Sequence, residues 1–401
     1  MKIGLFTNNY RPLVNGLATS VDTFARAFRQ AGHTVTVVAP RYPGVPDDEE
    51  GVLRVPGVRV PTHHAYVLPL AWWPGVARRV AALQLDIFHA QHPLLLGRAA
   101  AHWARQSQKP LVFTYHTHYD RYAHYVPGPS RLVARFAIRQ AAAFADRADL
   151  VVAPGPAVVR TLRAQGVRTR IAIVPTGVPL ASLTTNRSLP HQSACRQALG
   201  LDAGEPLCLC VGRLAKEKNQ AFLLFAFAHV RRHLPSARLV LVGEGDDRPR
   251  LAQLAHGLGL GSCVRFVGAV PHEAVGDYYQ AADLFLFPST SETQGIVVLE
   301  ALAAGLPAVA VTSDAARDLL GDSQGGILTP EDPQAFAGSV VDLWSQPQKR
   351  QVMAEAGRRI AARYSPDTCA ATMLSLYQEL VRSRWAAPVY TRTASATEAR
   401  T

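Results

Sequence analysis

Residues 282–305, ADLFLFPSTSETQGIVVLEALAAG, run an apolar segment, Leu284–Phe287, straight into a polar turn and then a small-residue helix. The segment shows no alternation, which is how a strand buried on both faces of a parallel sheet reads. Gly295 stands where the helix begins, with Glu292 in the turn before it and Glu300 inside the helix. Such a turn lies at the carboxyl end of a strand, the edge where doubly wound sheets bind ligands. The unpaired N–H groups and dipole of the helix start favour an anion. Glu292 suits sugar hydroxyls and Glu300 the two hydroxyls of a ribose. The stretch therefore reads as a three-point grip on a nucleotide diphosphate sugar.

Outward from this unit the same alternation fills the chain. Strands are expected at Lys2–Phe6, Thr34–Val38, Asp86–His89, Leu111–Tyr115, Leu150–Ala153 and Ile171–Val174, with helices around 17–31, 94–107, 129–147 and 156–165. A second series follows at Leu207–Val211, Arg238–Val242, Val264–Val267, Leu284–Phe287 and Ala308–Val311, with helices around 219–233, 247–258, 272–281 and 295–304. Alternation of this kind predicts two parallel α/β sheets. The polar stretch TTNRSLPHQSACRQ puts a linker near 178–200. The resulting division is 1–180 and 195–362, with a terminal helix about 365–385 and a disordered tail over 386–401.

In the second series, GRLAKEKN places Arg213 and Lys218 just after a strand end. A guanidinium fork and a mobile ammonium there can neutralise two phosphates without a metal. Each residue also has a plainer reading. Arg213 and Lys218 fit as surface cations with Glu217 and Glu244 as partners, Glu292 as an acid near a helix start, and Glu300 as a solvated helix residue. Their joint occurrence at successive strand ends favours the site.

Composition removes several classes. No run of about 18 apolar residues supports a spanning helix. MKIGLFTNNYRP turns polar too soon for a secretory signal and reads as a first strand. Five cysteines without zinc spacing suit reduced thiols in a cytosolic protein. No GxGxxG follows the first strand and no P-loop is present, so dehydrogenase and NTPase readings lack their main support. The charge is uneven: residues 1–180 carry 21 Lys+Arg against 9 Asp+Glu, whereas residues 181–401 carry 21 of each. The first half thus calls for an anionic partner, a membrane surface or nucleic acid. No nucleic-acid reading motif accompanies the charge, so the nucleic-acid binder is the rival from a different class.

GRLAKEKN, LVGEGDDRPRL, VRFVGAVPHEAV and FPSTSETQGIVVLEALAAGLPAVA together resemble the ordered signatures of retaining GT-B glycosyltransferases of glycosyltransferase family four. The resemblance spans about residues 2 to 380. It implies an α/β GT-B fold: two Rossmann-like doubly wound domains facing across a cleft, with a C-terminal helix crossing back to the N-terminal domain. It implies metal-independent transfer from a UDP-sugar, with no cofactor. The family's Glu-x7-Glu element falls on Glu292 and Glu300, and its Arg and Lys pair on Arg213 and Lys218. Its active-site histidine falls best on His116 in TYHTHYDRYAHYVP, with His118 the competing assignment. The implied donor-binding set is Gly16, Val267, Gly268, Thr293, Gln294, Gly295, Ile296 and Glu300, the base being read by backbone around Val267–Pro271. Many members carry two glycines where this chain has Asn15-Gly16.

Among the family's branches, the SETQG and HTHYDRYAHY segments look most like enzymes that glucosylate diacylglycerol. The residues carry a lipid-surface reading of their own. Arg131, Arg135 and Arg139 recur every four residues over 129–147, beside Leu132, Val133, Phe136 and Ala137, the pattern of a basic amphipathic helix on anionic lipid. Trp72 and Trp73 precede Arg78 and Arg79, an interfacial pairing of aromatics with cations. The competing reading is a domain helix packing its apolar side on the sheet. Tyr119 and His124 are expected on the acceptor side. The expectation is a cytoplasmic protein peripherally bound at the inner face of the cell membrane, with a soluble-acceptor glycosyltransferase as the nearest alternative.

Overall fold

A computed structural model of the chain describes residues 1–386, apart from 14, 48, 61–62, 120–129, 179, 184–188, 202–203 and 322–323. Of the expected tail over 386–401, Ala386 still belongs to the last helix and 387–401 lie outside the described residues, as does His124.

The first half runs β1 (Lys2–Phe6), α1 (Gly16–Gln30), β2 (Thr34–Pro40), β3 (Val52–Val55), β4 (Gly57–Val60), β5 (His63–Pro69) and α2 (Val76–Ala82). It continues β6 (Ile87–Ala90), α3 (Leu96–Gln106), β7 (Leu111–Thr114), α4 (Ser130–Ala145), β8 (Leu150–Ala153), α5 (Pro156–Ala164) and β9 (Ile171–Ile173). Seven of these strands form one sheet in the order β3-β2-β1-β6-β7-β8-β9, every pair parallel. The order reverses at β1/β6, so a crevice opens beyond the carboxyl ends of those two strands.

The second half begins α6 (Leu180–Leu183), α7 (Leu189–Ala198), β10 (Leu207–Val211), α8 (Gln220–His233), β11 (Arg238–Val242), α9 (Arg248–Gly257), β12 (Val264–Gly268) and α10 (His272–Ala281). There follow β13 (Leu284–Phe287), α11 (Ile296–Ala303), β14 (Ala308–Val311), α12 (Asp314–Leu320), β15 (Gly326–Thr329), α13 (Pro333–Trp344), α14 (Pro347–Ala361) and α15 (Pro366–Ala386). Six parallel strands are ordered β12-β11-β10-β13-β14-β15. Every residue of β13 is buried, as its unbroken apolar run requires.

Several elements were not expected. β3, the β4–β5 hairpin, α2, α12 and β15 are short, and a four-residue strand such as VLRV gives periodicity too little length. The stretch expected to be a linker carries α6 and α7. Arg196 on α7 is buried and bonds Asp283 at 2.6 Å and the Ala281 carbonyl at 2.8 Å, which fastens α7 to the second sheet.

The halves meet along a closed seam. The chain crosses it twice, where Gly177 packs against Pro366 and the Val178 N–H bonds the Tyr364 carbonyl at 2.9 Å. A Cβ on Gly177 would lie 2.5 Å from the Pro366 Cα, so only glycine fits this crossing. α15 then returns to the first half. Cys369, Met373 and Tyr377 join the core beneath α1, and Arg170 pairs with Glu379.

Candidate active site

The loop after β10 and the loop after β13 hold the second half's charged residues together. Arg213 pairs with Glu217 four residues on, and the Gln220 amide donates to the Arg213 carbonyl at 2.8 Å. The Glu217 carbonyl accepts from the Ser291 hydroxyl at 2.9 Å, which ties the two loops. Lys218 Nζ lies 2.5 Å from Glu292 Oε1, with both side chains largely covered. Two cations and two carboxylates thus face each other at the ends of adjacent strands β10 and β13. The carboxylates offset the desolvation of the cations, and an anion entering here would compete for the same ammonium and guanidinium.

Backbone approach sets the shape of this edge. Gly243, at the end of β11, takes φ 139°, and a Cβ there would sit 2.0 Å from the Gly212 carbonyl oxygen. Its N–H bonds the Gly268 carbonyl at 2.9 Å, which fixes the end of β12 beside Val267. Gly295 takes φ 78° and turns the chain from the loop into α11. Ile296 follows it and faces Gly16 of α1 across the seam: a Cβ on Gly16 would come 3.8 Å from Ile296 Cδ1. Glu300 lies 5% exposed on α11, not solvated, and accepts a 2.8 Å hydrogen bond from Tyr279. Burial, and then the Glu300 carboxylate, hold the Tyr279 hydroxyl well above its usual pKa, so it stays a donor.

The loop between β13 and α11 also grips the first half. The Thr293 hydroxyl donates to the His116 carbonyl at 2.9 Å. The Gln294 side chain both accepts from the Thr176 N–H and donates to the Thr176 carbonyl, each at 2.8 Å. Its amide is therefore spent on the seam in this structure. Asp318 on α12 caps α5 from the other half, accepting from the Ala157 N–H at 2.8 Å.

On the first half, His116 stands just past β7, its ring Nε2 2.6 Å from Gln91 Oε1. His89 on β6 bonds Tyr377 at 2.5 Å and Thr114 at 2.6 Å, so the returning helix reaches the strand ends. The Asn8 N–H donates to His92 Nδ1 at 3.1 Å. Burial pulls His89 and His116 down to about 3 and His92 to about 4, so all three rings are neutral at working pH. His118 packs edge-on to Tyr115. Tyr119 also meets Tyr115 edge-on, with centroids 5.5 Å apart, and burial holds its hydroxyl well above its usual value. Gln91, His89 and His92 were missed in the sequence. FHAQHP carries the same strand-then-polar signature as the second-half loops, and that signature was the available signal.

Beside this edge lies an exposed apolar and basic face. Leu132 and Phe136 on α4 are both 63% exposed, with Arg131, Arg135 and Arg139 exposed next to them. α4 packs on the sheet through Ala141, Phe144 and Ala145 nearer its end. Arg98 on α3 bonds Gln140 on α4 at 2.6 Å, and Trp72 packs on His102 and Trp103 of α3, so α3 bridges α4 to the exposed Trp72 and Trp73. The start of α3 is tied to the β1–α1 loop through Asn8 and carries half-exposed Leu94 and Leu95. Among the described residues, no helix is long and apolar enough to cross a membrane, and no group of His, Cys, Asp and Glu is arranged to hold a metal ion.

Comparison with known proteins places this geometry. The Glycosyltransferase Family 4 model matches residues 14–182 and the model for Glycosyl transferases group 1 matches 192–360. The chain is 27% identical to the alpha-monoglucosyldiacylglycerol synthase of Acholeplasma laidlawii, over 95% of this chain and 98% of that protein. It is 31% identical to the Streptococcus pneumoniae enzyme of the same name, over 82% and 75%. Other relatives are named for different donors and acceptors. Among solved structures it resembles Anabaena HepE in complex with UDP and glucose, at TM-score 0.78 and 22% identity, covering 94% of this chain and 99% of that one. The chain belongs to glycosyltransferase family four, and it is a retaining glycosyltransferase with the GT-B fold.

Proposed function

We propose that the protein transfers a hexose, glucose in our reading, from a UDP-sugar to a lipid acceptor such as diacylglycerol at an anionic membrane surface. The observation that carries the acceptor is the exposed face of Leu132, Phe136, Trp72 and Trp73, set among arginines and adjoining the β1/β6 edge. A globular protein that packed this helix for structure alone would bury Leu132 and Phe136 against the sheet. The names of the two diacylglycerol-glucosylating relatives point the same way. In this reading residues 1–180, with the helix over 365–385, form the acceptor half, and residues 195–362 the donor half. The protein works at the inner face of the cell membrane without a metal or cofactor.

In this mechanism the UDP leaving group gathers negative charge in the transition state, where electrostatic stabilisation is usually the largest catalytic contribution. Lys218, Arg213 and the N–H groups at Gly295 supply it, and Glu292 releases Lys218 to the phosphate and turns to the sugar. Gly16 and Ile296 close over the diphosphate, while Val267 and Gly268 offer backbone to the base and Glu300 takes the ribose hydroxyls. His116 meets the sugar from the acceptor side. Retention proceeds by front-face substitution, the departing phosphate taking the acceptor's proton. The test is UDP release from UDP-glucose with and without vesicles of diacylglycerol and an anionic phospholipid. Vesicle-dependent release with a lipid-extractable sugar supports the reading. Release indifferent to lipid moves the acceptor to a soluble sugar or small molecule.

A further inference from the structure

We propose that Gln91 is a positioning residue for the transfer: its side-chain carbonyl holds the His116 ring with the proton on Nε2, leaving Nδ1 to accept from a substrate hydroxyl. The inference rests on the reading that His116 meets the donor sugar, and it adds a residue outside the expected site.

Gln91 is 4% exposed, and its backbone N–H bonds the Phe6 carbonyl at 2.9 Å. Phe6 lies opposite Ala90 in register, so Gln91 is fixed at the reversal point between β1 and β6. The Gln91 oxygen 2.6 Å from His116 Nε2 carries no proton, so the ring nitrogen donates. A neutral imidazole has one donor, and the bond made by one nitrogen decides the role of the other. The ring is kept neutral by burial, and His92 and His89, near it from the loop after β6 and from β6, are neutral for the same reason. From its own segment Tyr115 and His118 stand nearby, and from the second half the uncharged Thr293 holds its carbonyl. The imidazole is thus set by Gln91 and its backbone by Thr293, one grip from each half. A ring that lost the Gln91 contact would interchange its two nitrogens by turning over.

The test uses the full chain with histidine-selective nitrogen-15 labelling, His116 being assigned by loss of its signals in His116→Asn. In the wild type, His116 is expected as the Nε2–H tautomer, unprotonated down to pH 5. Gln91→Leu is expected to give a mixture of tautomers and a kcat on UDP-glucose lower by roughly 10- to 100-fold, with KM within about twofold. The nearly isosteric Gln91→Glu keeps the acceptor and adds a charge. It should raise the His116 pKa and add a limb to the kcat profile that falls as pH drops, which a purely structural residue would not produce. An Nδ1–H tautomer in the wild type, or unchanged tautomer and kcat in Gln91→Leu, would overturn the proposal. If no variant uses UDP-glucose, the function reading fails alone, because the tautomer measurements on the free protein still decide the role of Gln91.

Discussion

The two strand-end edges that face each other across the seam solve different electrostatic problems. The second-half edge is built from opposite charges in contact, Arg213 with Glu217 and Lys218 with Glu292. The first-half edge is built from neutral rings, His89, His92 and His116, bonded to a hydroxyl, a backbone amide and an amide side chain. A site for a diphosphate has to keep cations out of bulk water before the anion arrives, and resident carboxylates make that tolerable. A site for a hydroxyl needs directed donors and acceptors without net charge. The imbalance in formal charge, all of it in residues 1–180, therefore lies outside the first-half edge. It is carried on exposed faces such as that of α4.

Substitution at the charged edge should have the largest effect. Lys218→Ala should lower turnover about 100- to 1,000-fold, measured as initial UDP release, because it removes the cation that the proposed mechanism gives to the leaving group. Near-normal turnover would make Lys218 a structural partner of Glu292 and erase the contrast. Next, changing Arg131, Arg135 and Arg139 together to Gln removes three exposed cations that the proposed function turns to the membrane, each contributing about 1 kcal/mol at an anionic surface. Partition onto anionic vesicles should drop about two orders of magnitude in a sedimentation assay, with little loss of nucleotide affinity. Equal loss of both would mean that α4 supports the fold and not a surface.

Glu300→Gln should raise KM for the UDP-sugar about tenfold or more, the cost of the charge-assisted hydrogen bond to the ribose that the proposed function assigns to it. Unchanged KM would leave Glu300 only as the acceptor of Tyr279. The neutral edge predicts a gentler effect, on stability. His89 and His116 sit at about 3 and His92 at about 4, against about 6.5 in an unfolded chain. Between those values the unfolded state binds more protons, so stability is complete above about pH 6.5 and drains as pH falls toward 3. The slope is at most about 1.4 kcal/mol per pH unit for each histidine. Urea midpoints at pH 7.5, 6 and 5 measure it, and His89→Gln should make the slope shallower. An unchanged slope would show that the rings are not held neutral by burial.

How much was legible differs between the edges for the same reason that their chemistry differs. Charged residues after unbroken apolar strands stand out in a sequence, so Arg213, Lys218, Glu292 and Glu300 were all picked out from GRLAKEKN and SETQGIVVLE. Gln91 is uncharged, and the strand-then-polar signature of FHAQHP marks its loop without singling it out from its neighbours. Only the 2.6 Å approach of His116, from another strand, gives it a role. Glu300 shows the limit from the other side. Its position on a helix was readable, but its burial and its bond from Tyr279 on α10, a neighbour in space alone, were not. The same holds for Arg54 on β3, fully buried and paired with Glu49, in a strand that a polar residue hid.

By itself the sequence determined the order of the main strands and helices in both series, because a strand buried on both faces is mostly apolar and each helix must cover it. It also determined which strand ends carry charge. The tertiary structure alone decided which of those ends meet. The Gln294 amide is spent on Thr176, Thr293 reaches the His116 carbonyl, and Tyr377 on the last helix reaches His89. Such contacts join residues far apart along the chain, and local propensity carries no record of them. They exist only once the two sheets have closed on each other and the last helix has returned to the first half.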